Sequence, residues 1–120
     1  SAQSRVREAQ SQSTQAELGV SQAQRQAEQE IRSLHQSVVL AHSQLAALEM
    51  ATDAARKNYE AQQRDYRLGL VTNLDVLQAL SVFQENQRAF DRARYTAKLN
   101  YLRLQAAAVR RPVPPEGTTP

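Results

Sequence analysis

A heptad repeat in the first half of the chain constrains the fold more than any other feature of the sequence. Apolar or small residues recur at alternating steps of four and three, the spacing of one stripe on an α-helix that packs against another helix. No proline occurs in the first 111 residues, so at about 1.5 Å per residue the repeat predicts one helix about 100 Å long. The repeat positions are Ala2, Val6, Ala9, Ser13, Ala16, Val20, Ala23, Ala27, Ile31, Leu34, Val38, Ala41, Leu45, Leu48, Thr52, Ala55, Tyr59 and, after Gln62, Tyr66.

The repeat has one irregularity near its start. Two steps of four follow each other at Ala23, Ala27 and Ile31, which predicts a stutter that locally unwinds a left-handed supercoil. Gly19 lies in the same region and costs about 1 kcal/mol of helix stability relative to alanine. We therefore expect a weak point in this part of the helix.

A stop signal for one helix and a start signal for the next lie side by side after the repeat. Gly69 suits the left-handed residue that ends a helix, because it has no Cβ. Thr72 fits an N-cap whose hydroxyl accepts from the Asp75 amide, while the Asp75 carboxylate accepts from the Thr72 amide. Val71 and Val76 are spaced to form a hydrophobic staple. Together these residues predict a tight helical hairpin.

The segment after the turn carries a heptad repeat of its own. If the chain folds back at the turn, the two repeats come into register, with Tyr59 opposite Phe83. The sequence therefore predicts an all-α fold, a long antiparallel coiled-coil helical hairpin with helices at about 3–68 and 73–111 and a turn at 69–72. The second repeat consists of Val76, Leu80, Phe83, Gln87, Phe90, Arg94, Ala97, Tyr101, Leu104 and Ala108.

Arg94 is the charged member of the second repeat and faces Leu48 in the predicted register. A buried guanidinium needs a partner. Its side chain is expected either to extend to the surface or to pair with an acidic residue of a neighbouring hairpin.

The two predicted helices differ in length, so residues 1–30 have no partner in this chain. Residues 112–120 contain all four prolines and are expected to form a disordered tail. Each helix also has an apolar stripe off its paired face, and a helix that is apolar on two faces has two neighbours. We therefore expect the hairpin to pack sideways against other hairpins. The stripes are Tyr95, Leu99, Leu102, Ala106 and Val109 on the second helix, and Leu40, Ala47, Met50, Ala54 and Ala61 on the first.

Composition and charge exclude several classes of function. The chain has no cysteine, which excludes a disulfide framework and thiolate chemistry. The net charge of +3 comes from 15 basic and 12 acidic residues spread along the chain, a pattern typical of a solvated helix surface and not of a nucleic-acid-binding site. His35 and His42 lack the i, i+4 spacing of a helical zinc site. Since the sequence has neither a nucleophile paired with a base nor a phosphate-binding loop, we expect no enzyme activity and no cofactor.

The turn also carries a recognisable motif. The segment from Tyr66 to Leu77 reads Tyr-Arg-Leu-Gly-Leu-Val-Thr-Asn-Leu-Asp-Val-Leu. It resembles the Y-x-x-G-x-x-[ST]-x-x-[DE]-V-L signature of the TolC-like outer membrane efflux proteins. The segment from Ala79 to Leu104 is similar to the returning helix of that family, and the Gln- and Ala-rich helix before the turn is similar to its long descending helix. The resemblance covers nearly everything before Pro112.

The resemblance implies that residues 1–111 are one periplasmic hairpin of a longer protein, a trimeric export duct of the cell outer membrane. In that family an inner-membrane pump drives export, and a periplasmic adaptor (membrane fusion protein) couples the pump to the duct in a tripartite efflux or type I secretion system. The turn is then the periplasmic tip, where the adaptor docks and the tunnel constricts. The resemblance places at this tip Tyr66, Leu68, Gly69, Leu70, Val71, Thr72 and Asp75.

The apolar residues of the turn support an interaction site independently of the resemblance. Leu68, Leu70 and Val71 cannot all be buried between two helices at a hairpin apex. Exposed apolar surface of this kind commonly marks an interaction site. The alternative is ordinary packing within the hydrophobic staple.

Two other functions fit the same residues. The periplasmic adaptor also has a long antiparallel helical hairpin, but lipoyl-type β segments would flank it, whereas an efflux protein would have barrel strands before residue 1. A coiled-coil oligomerisation scaffold without a transport function would have a polar tip, and a dimer would cover all of its apolar stripes.

Overall fold

The structure is a computed structural model that describes residues 1–110, and it is a hairpin of two long helices. Helix α1 spans Ala2–Arg67 and helix α2 spans Asn73–Val109, with a turn at 68–72 between them. The predicted all-α antiparallel hairpin is therefore confirmed, with helix ends that differ from the expected ones by one or two residues. The predicted tail at 112–120 lies outside the described residues.

The molecule is a rod. Its extents are 99 × 27 × 17 Å and its radius of gyration is 27.7 Å, about twice the roughly 14 Å of a compact domain of this length. Within residues 1–110, neither helix contains a stretch long and apolar enough to cross a membrane. In the described part of the chain, tertiary stability therefore depends on the contact between α1 and α2.

Small side chains form the closest contacts between the helices. Thr52 is buried, and its Oγ1 lies 2.7 Å from the carbonyl oxygen of Leu48 on α1 and 3.2 Å from that of Asn86 on α2. A threonine hydroxyl reaches a backbone carbonyl of the facing helix only where the two backbones approach closely. Among residues 1–110, the buried apolar residues are Ala41, Ala55, Ala79 and Ala107.

Larger side chains fill the interface between these close contacts. The ring centroids of Tyr59 and Phe83 lie 6.1 Å apart at an interplanar angle of 44°, so the predicted pairing of these residues is confirmed. The Tyr59 hydroxyl accepts a hydrogen bond from Nε2 of Gln63 at 2.8 Å. The guanidinium carbon of Arg56 lies 6.0 Å from the Phe83 ring centroid, which adds a cation–π contact at the edge of the interface.

Half of the predicted repeat on α2 is wrong by one residue. The correct members, which are half-buried, are Val76, Phe83, Phe90, Ala97 and Leu104. The predicted members Gln87, Arg94, Tyr101 and Ala108 are exposed, and the residues just before them, Asn86, Ala93, Asn100 and Ala107, are buried or half-buried instead. The error arises because the heptads are counted from Leu80 instead of from Ala79. Leu80 is the larger and more apolar of the two. Ala79 is the more deeply buried of the two, at 6% exposure, and continues the true series.

Arg94 does not occupy an interface position. Its side chain is exposed, and its guanidinium carbon lies 5.8 Å from the centroid of the Phe90 ring. The interface position belongs to Ala93. Arg94 therefore needs no buried partner, and a cation–π contact with Phe90 on the same helix orients it.

The start of α1 extends beyond α2. Residues 1–20 are all exposed, so the described part of the chain provides no partner for them. Ser21, Gln24 and Ala27 are half-buried, so the predicted unpaired segment 1–30 is too long. Ile31 is also half-buried, whereas Ala23 is exposed, so burial does not follow the predicted repeat at Ala23. The stutter stays a prediction. The helix also runs through Gly19 without a break.

Candidate interaction site at the hairpin tip

Helix α1 ends in a Schellman motif built around Gly69. Gly69 has φ of +74°, the left-handed conformation predicted from the sequence. Its amide donates to the Tyr66 carbonyl at 3.0 Å, and the Leu70 amide donates to the Asp65 carbonyl at 2.9 Å. These two bonds satisfy carbonyl groups that the end of a helix would otherwise leave without partners.

Helix α2 begins with the predicted capping box. The Asp75 amide donates to Thr72 Oγ1 at 3.2 Å, and the Thr72 amide donates to Asp75 Oδ2 at 2.9 Å. The Thr72 hydroxyl lies 2.9 Å from the same carboxylate oxygen. Hydrogen bonds from the Thr72 backbone and then from its side chain lower the pKa of Asp75 below its ordinary value of 3.8, because they favour the charged carboxylate. The tip thus has a capping motif at each end.

Leucines cover this apex and are exposed. Leu68 is 72% exposed, Leu70 is 71% exposed and Leu74 is 62% exposed. Tyr66, predicted to pack in the repeat of α1, is also exposed, at 48%. Apolar side chains clustered at the end of a rod form a surface suited to contact with another protein.

Two of the tip leucines do not belong to the predicted site. Leu74 and Leu77 are both exposed, and with Leu70 they continue at steps of four and three along the first turns of α2. This spacing is visible in the sequence but is offset from the stripe that contains Val76 and Ala79. A second apolar stripe at the start of α2 is therefore the sequence feature that indicates the exposed position of Leu74 and Leu77.

Val71 differs from the leucines because it is half-buried. It lines a groove between the helices together with Gln62 and Ala79. The Oε1 atom of Gln62 is buried and has no hydrogen-bond partner among the described residues. An unpaired buried acceptor costs free energy, so a donor that enters this groove would gain a hydrogen bond. Val76 is half-buried as well, and its staple contact with Val71 stays a prediction.

All residues of the predicted site lie within the apex or the helical turns beside it. Gly69, Thr72 and Asp75 fix the backbone, and Leu68 and Leu70 provide exposed apolar surface. Arg64 and Arg67 lie in the last turn of α1, where positive charge is favourable at the negative end of the helix dipole. The chemistry available here is the binding of apolar side chains beside mixed charges. The predicted residues are Tyr66, Leu68, Gly69, Leu70, Val71, Thr72 and Asp75.

Comparison with known proteins does not assign a function to this site. No family model, curated protein or solved structure matches this chain. The exposed leucines and the two capping motifs therefore provide the basis for a functional proposal.

Proposed function

We propose that the chain is a periplasmic helical hairpin of a TolC-like outer membrane efflux protein, and that its tip docks a periplasmic adaptor. In this function the helices form part of the wall of an export tunnel. An inner-membrane pump acts on the tunnel through the adaptor, in a tripartite efflux or type I secretion system. The chain is then a passive component of a transport machine.

The observation that carries the proposal is an apolar apex held in a fixed shape. Leu68, Leu70 and Leu74 are exposed on a turn that is capped at both ends. Burial of one leucine side chain stabilises a contact by about 1.5–3 kcal/mol, so the three leucines would contribute substantially to the free energy of docking. Because the caps already order the turn, docking loses less conformational entropy than it would with a flexible loop.

The motif in the turn supports the same proposal through its physical roles. Gly69 is required for the positive φ, and Thr72 and Asp75 are required for the capping box. Three of the motif's defined positions therefore build the shape of the turn. The leucines between and beside them supply the surface.

We further propose that copies of the hairpin pack side by side, as in a trimeric duct. Leu40 and Met50 are 70% and 75% exposed on the unpaired stripe of α1. Residues 1–20 are exposed along their whole length. These surfaces are available to neighbouring hairpins.

The test is site-specific crosslinking in cells that express the full-length protein. The chain has no cysteine, so Leu70→Cys introduces one thiol at the apex. Gln26→Cys is the matched control, because Gln26 is also exposed but lies far along α1 from the tip. We expect Leu70→Cys, and not Gln26→Cys, to crosslink to a periplasmic adaptor.

Three other outcomes would overturn the proposal. Crosslinks from Leu70→Cys to an outer membrane duct would assign the hairpin to the adaptor. Crosslinks only between copies of the chain would favour a coiled-coil scaffold. Equal crosslinking from Gln26→Cys would show that the tip is not a specific docking site.

A further inference from the structure

Helix α2 has a second heptad stripe on the side opposite α1, which we call the outer seam. Tyr95 is 72% exposed, Leu102 is 50% exposed and Val109 is 86% exposed. The residues of α2 that pack on α1 in this segment include Ala97, Leu104 and Ala107, about half a helical turn away from the outer seam. The outer seam consists of Tyr95, Leu99, Leu102, Ala106 and Val109; Leu99 is half-buried and the other four are exposed.

The outer seam has the spacing of a coiled-coil interface. Its members follow one another at steps of four, three, four and three, which is the spacing of a and d positions that face one helical partner. Ala106 is small and exposed, and it permits close approach of a second backbone. A stripe limited to these positions is the narrow seam of a coiled coil, and an extended peptide would not require this periodicity.

The positions that flank the outer seam are basic. Lys98 precedes Leu99, Arg103 follows Leu102, and Arg110 follows Val109; all three basic side chains are exposed. They occupy the positions beside a and d that set partner choice in coiled coils. Residues 92–110 contain five basic side chains and no acidic one.

The facing part of α1 does not neutralise this charge. The contacts of Tyr59 with Phe83 and of Thr52 with Asn86 place residues 92–110 opposite about 31–49 of α1. That segment contains one acidic residue, Glu49. If copies of the hairpin pack side by side with their tips level, each copy therefore brings little acidic charge to the outer seam of its neighbour. Two outer seams that face each other would repel, because both are basic.

We propose that the outer seam binds an acidic α-helix of a different polypeptide segment, which packs on α2 as the third helix of a coiled coil. The partner helix has its own apolar heptad stripe with Glu or Asp beside it, opposite Lys98, Arg103 and Arg110. This inference concerns the side of α2 and does not rest on the function proposed for the tip.

The test measures binding of two designed helical peptides to the full chain. Both have four heptads and the same Leu and Ile stripe; one has Glu at all flanking positions and the other has Lys. Fluorescence anisotropy of the labelled peptides is expected to show binding of the Glu peptide and not of the Lys peptide. The triple variant Lys98→Glu, Arg103→Glu and Arg110→Glu is expected to reverse this preference and to weaken binding of the Glu peptide by about tenfold or more.

A second triple variant, Arg5→Glu, Arg7→Glu and Arg25→Glu, is the control for net charge. It changes the charge of the chain by the same amount, but at exposed positions on α1 away from the outer seam. The control is expected to retain binding of the Glu peptide. Circular dichroism and sedimentation verify that both variants remain folded and in the same oligomeric state.

Specific outcomes would overturn the inference. Equal losses in the two triple variants would show that attraction is due to net charge alone. Self-association of the chain that the outer-seam variant abolishes would assign the outer seam to a second copy. Binding to phosphatidylglycerol vesicles without binding to the Glu peptide would assign it to a bilayer. Leu70→Ser at the tip is expected to leave peptide binding unchanged, so failure here and failure of the tip function are distinguishable.

Discussion

Gly69 and Gly19 offer the same substitution with opposite expected effects. An added Cβ would meet no atom within 4 Å at either glycine, but Gly69 has φ of +74° whereas Gly19 lies inside α1. Gly69→Ala is expected to lower the free energy of unfolding by about 1 kcal/mol, because the left-handed conformation disfavours a Cβ. Gly19→Ala is expected to raise local helix stability by about the same amount. Urea unfolding measures the first effect, and amide exchange around residue 19 measures the second.

The two glycine variants control for each other. Because neither Cβ creates a clash, each difference in stability reports backbone conformation alone. A neutral Gly69→Ala would contradict the left-handed turn and with it the fixed shape of the apex.

The capping box predicts a specific pH dependence. The lowered pKa of Asp75 means that its carboxylate contributes stability above the ordinary value of 3.8, and that this contribution is lost as pH falls through the lower folded pKa. Thr72→Ala is expected to cost about 1 kcal/mol of stability and to raise the pKa of Asp75 towards its ordinary value. NMR titration of the carboxyl carbons measures this change.

Asp53 provides an internal control in the same titration. Its pKa is also lowered, chiefly by a hydrogen bond and the charge of Lys57, and it lies on α1 away from the turn. Thr72→Ala is expected to leave the pKa of Asp53 unchanged. Equal shifts of both carboxyls would indicate a global change instead of loss of the cap.

The backbone of the tip could be predicted residue by residue because its interactions are local. Gly69, Thr72 and Asp75 each act within three or four residues of sequence, so the amino-acid types alone indicate the Schellman motif and the capping box. The exposure of Leu74 and Leu77 was not predicted. It depends on which side of α2 packs against α1, and that is a property of the pair of helices.

At the scale of the helix, the sequence predicts the existence and pairing of α1 and α2 better than the details of their contact. Large apolar residues such as Phe83, Phe90 and Leu104 identify one series of interface positions correctly. The interleaved series contains alanines and asparagines, including Ala93 and Asn100, which hydropathy does not distinguish from surface residues. Close packing favours short side chains at these positions, and only the structure shows which neighbour occupies them.

The close approach of α1 and α2 predicts a large penalty for added volume at their interface. Ala55 is 8% exposed, so Ala55→Leu is expected to lower the free energy of unfolding by about 1–3 kcal/mol through overpacking. Ala54→Leu, at an exposed neighbouring position, is expected to change it by less than about 0.5 kcal/mol. Urea denaturation followed by circular dichroism measures both. Equal effects of the two variants would contradict the packing of α1 on α2 at Ala55.

At the scale of the whole molecule, stability is unevenly distributed along the rod. Residues 1–20 are exposed throughout, whereas the paired segments of α1 and α2 share one interface. Helices in proteins gain most of their stability from tertiary packing, and a helix without a packing partner is only marginally stable in water. The start of α1 is therefore expected to exchange its amide protons much faster than residues 41–67, and hydrogen exchange followed by mass spectrometry measures the difference.

Truncations of equal length test the same distribution thermodynamically. Removal of residues 1–20 is expected to reduce the helical signal while leaving the urea midpoint nearly unchanged, because no interface residue is lost. Removal of residues 101–120 deletes Leu104 and Ala107, which pack against α1, and is expected to lower the free energy of unfolding by about 2 kcal/mol or more. If removal of residues 1–20 shifts the midpoint as strongly, those residues have a partner in solution, and sedimentation will show whether that partner is a second copy of the chain.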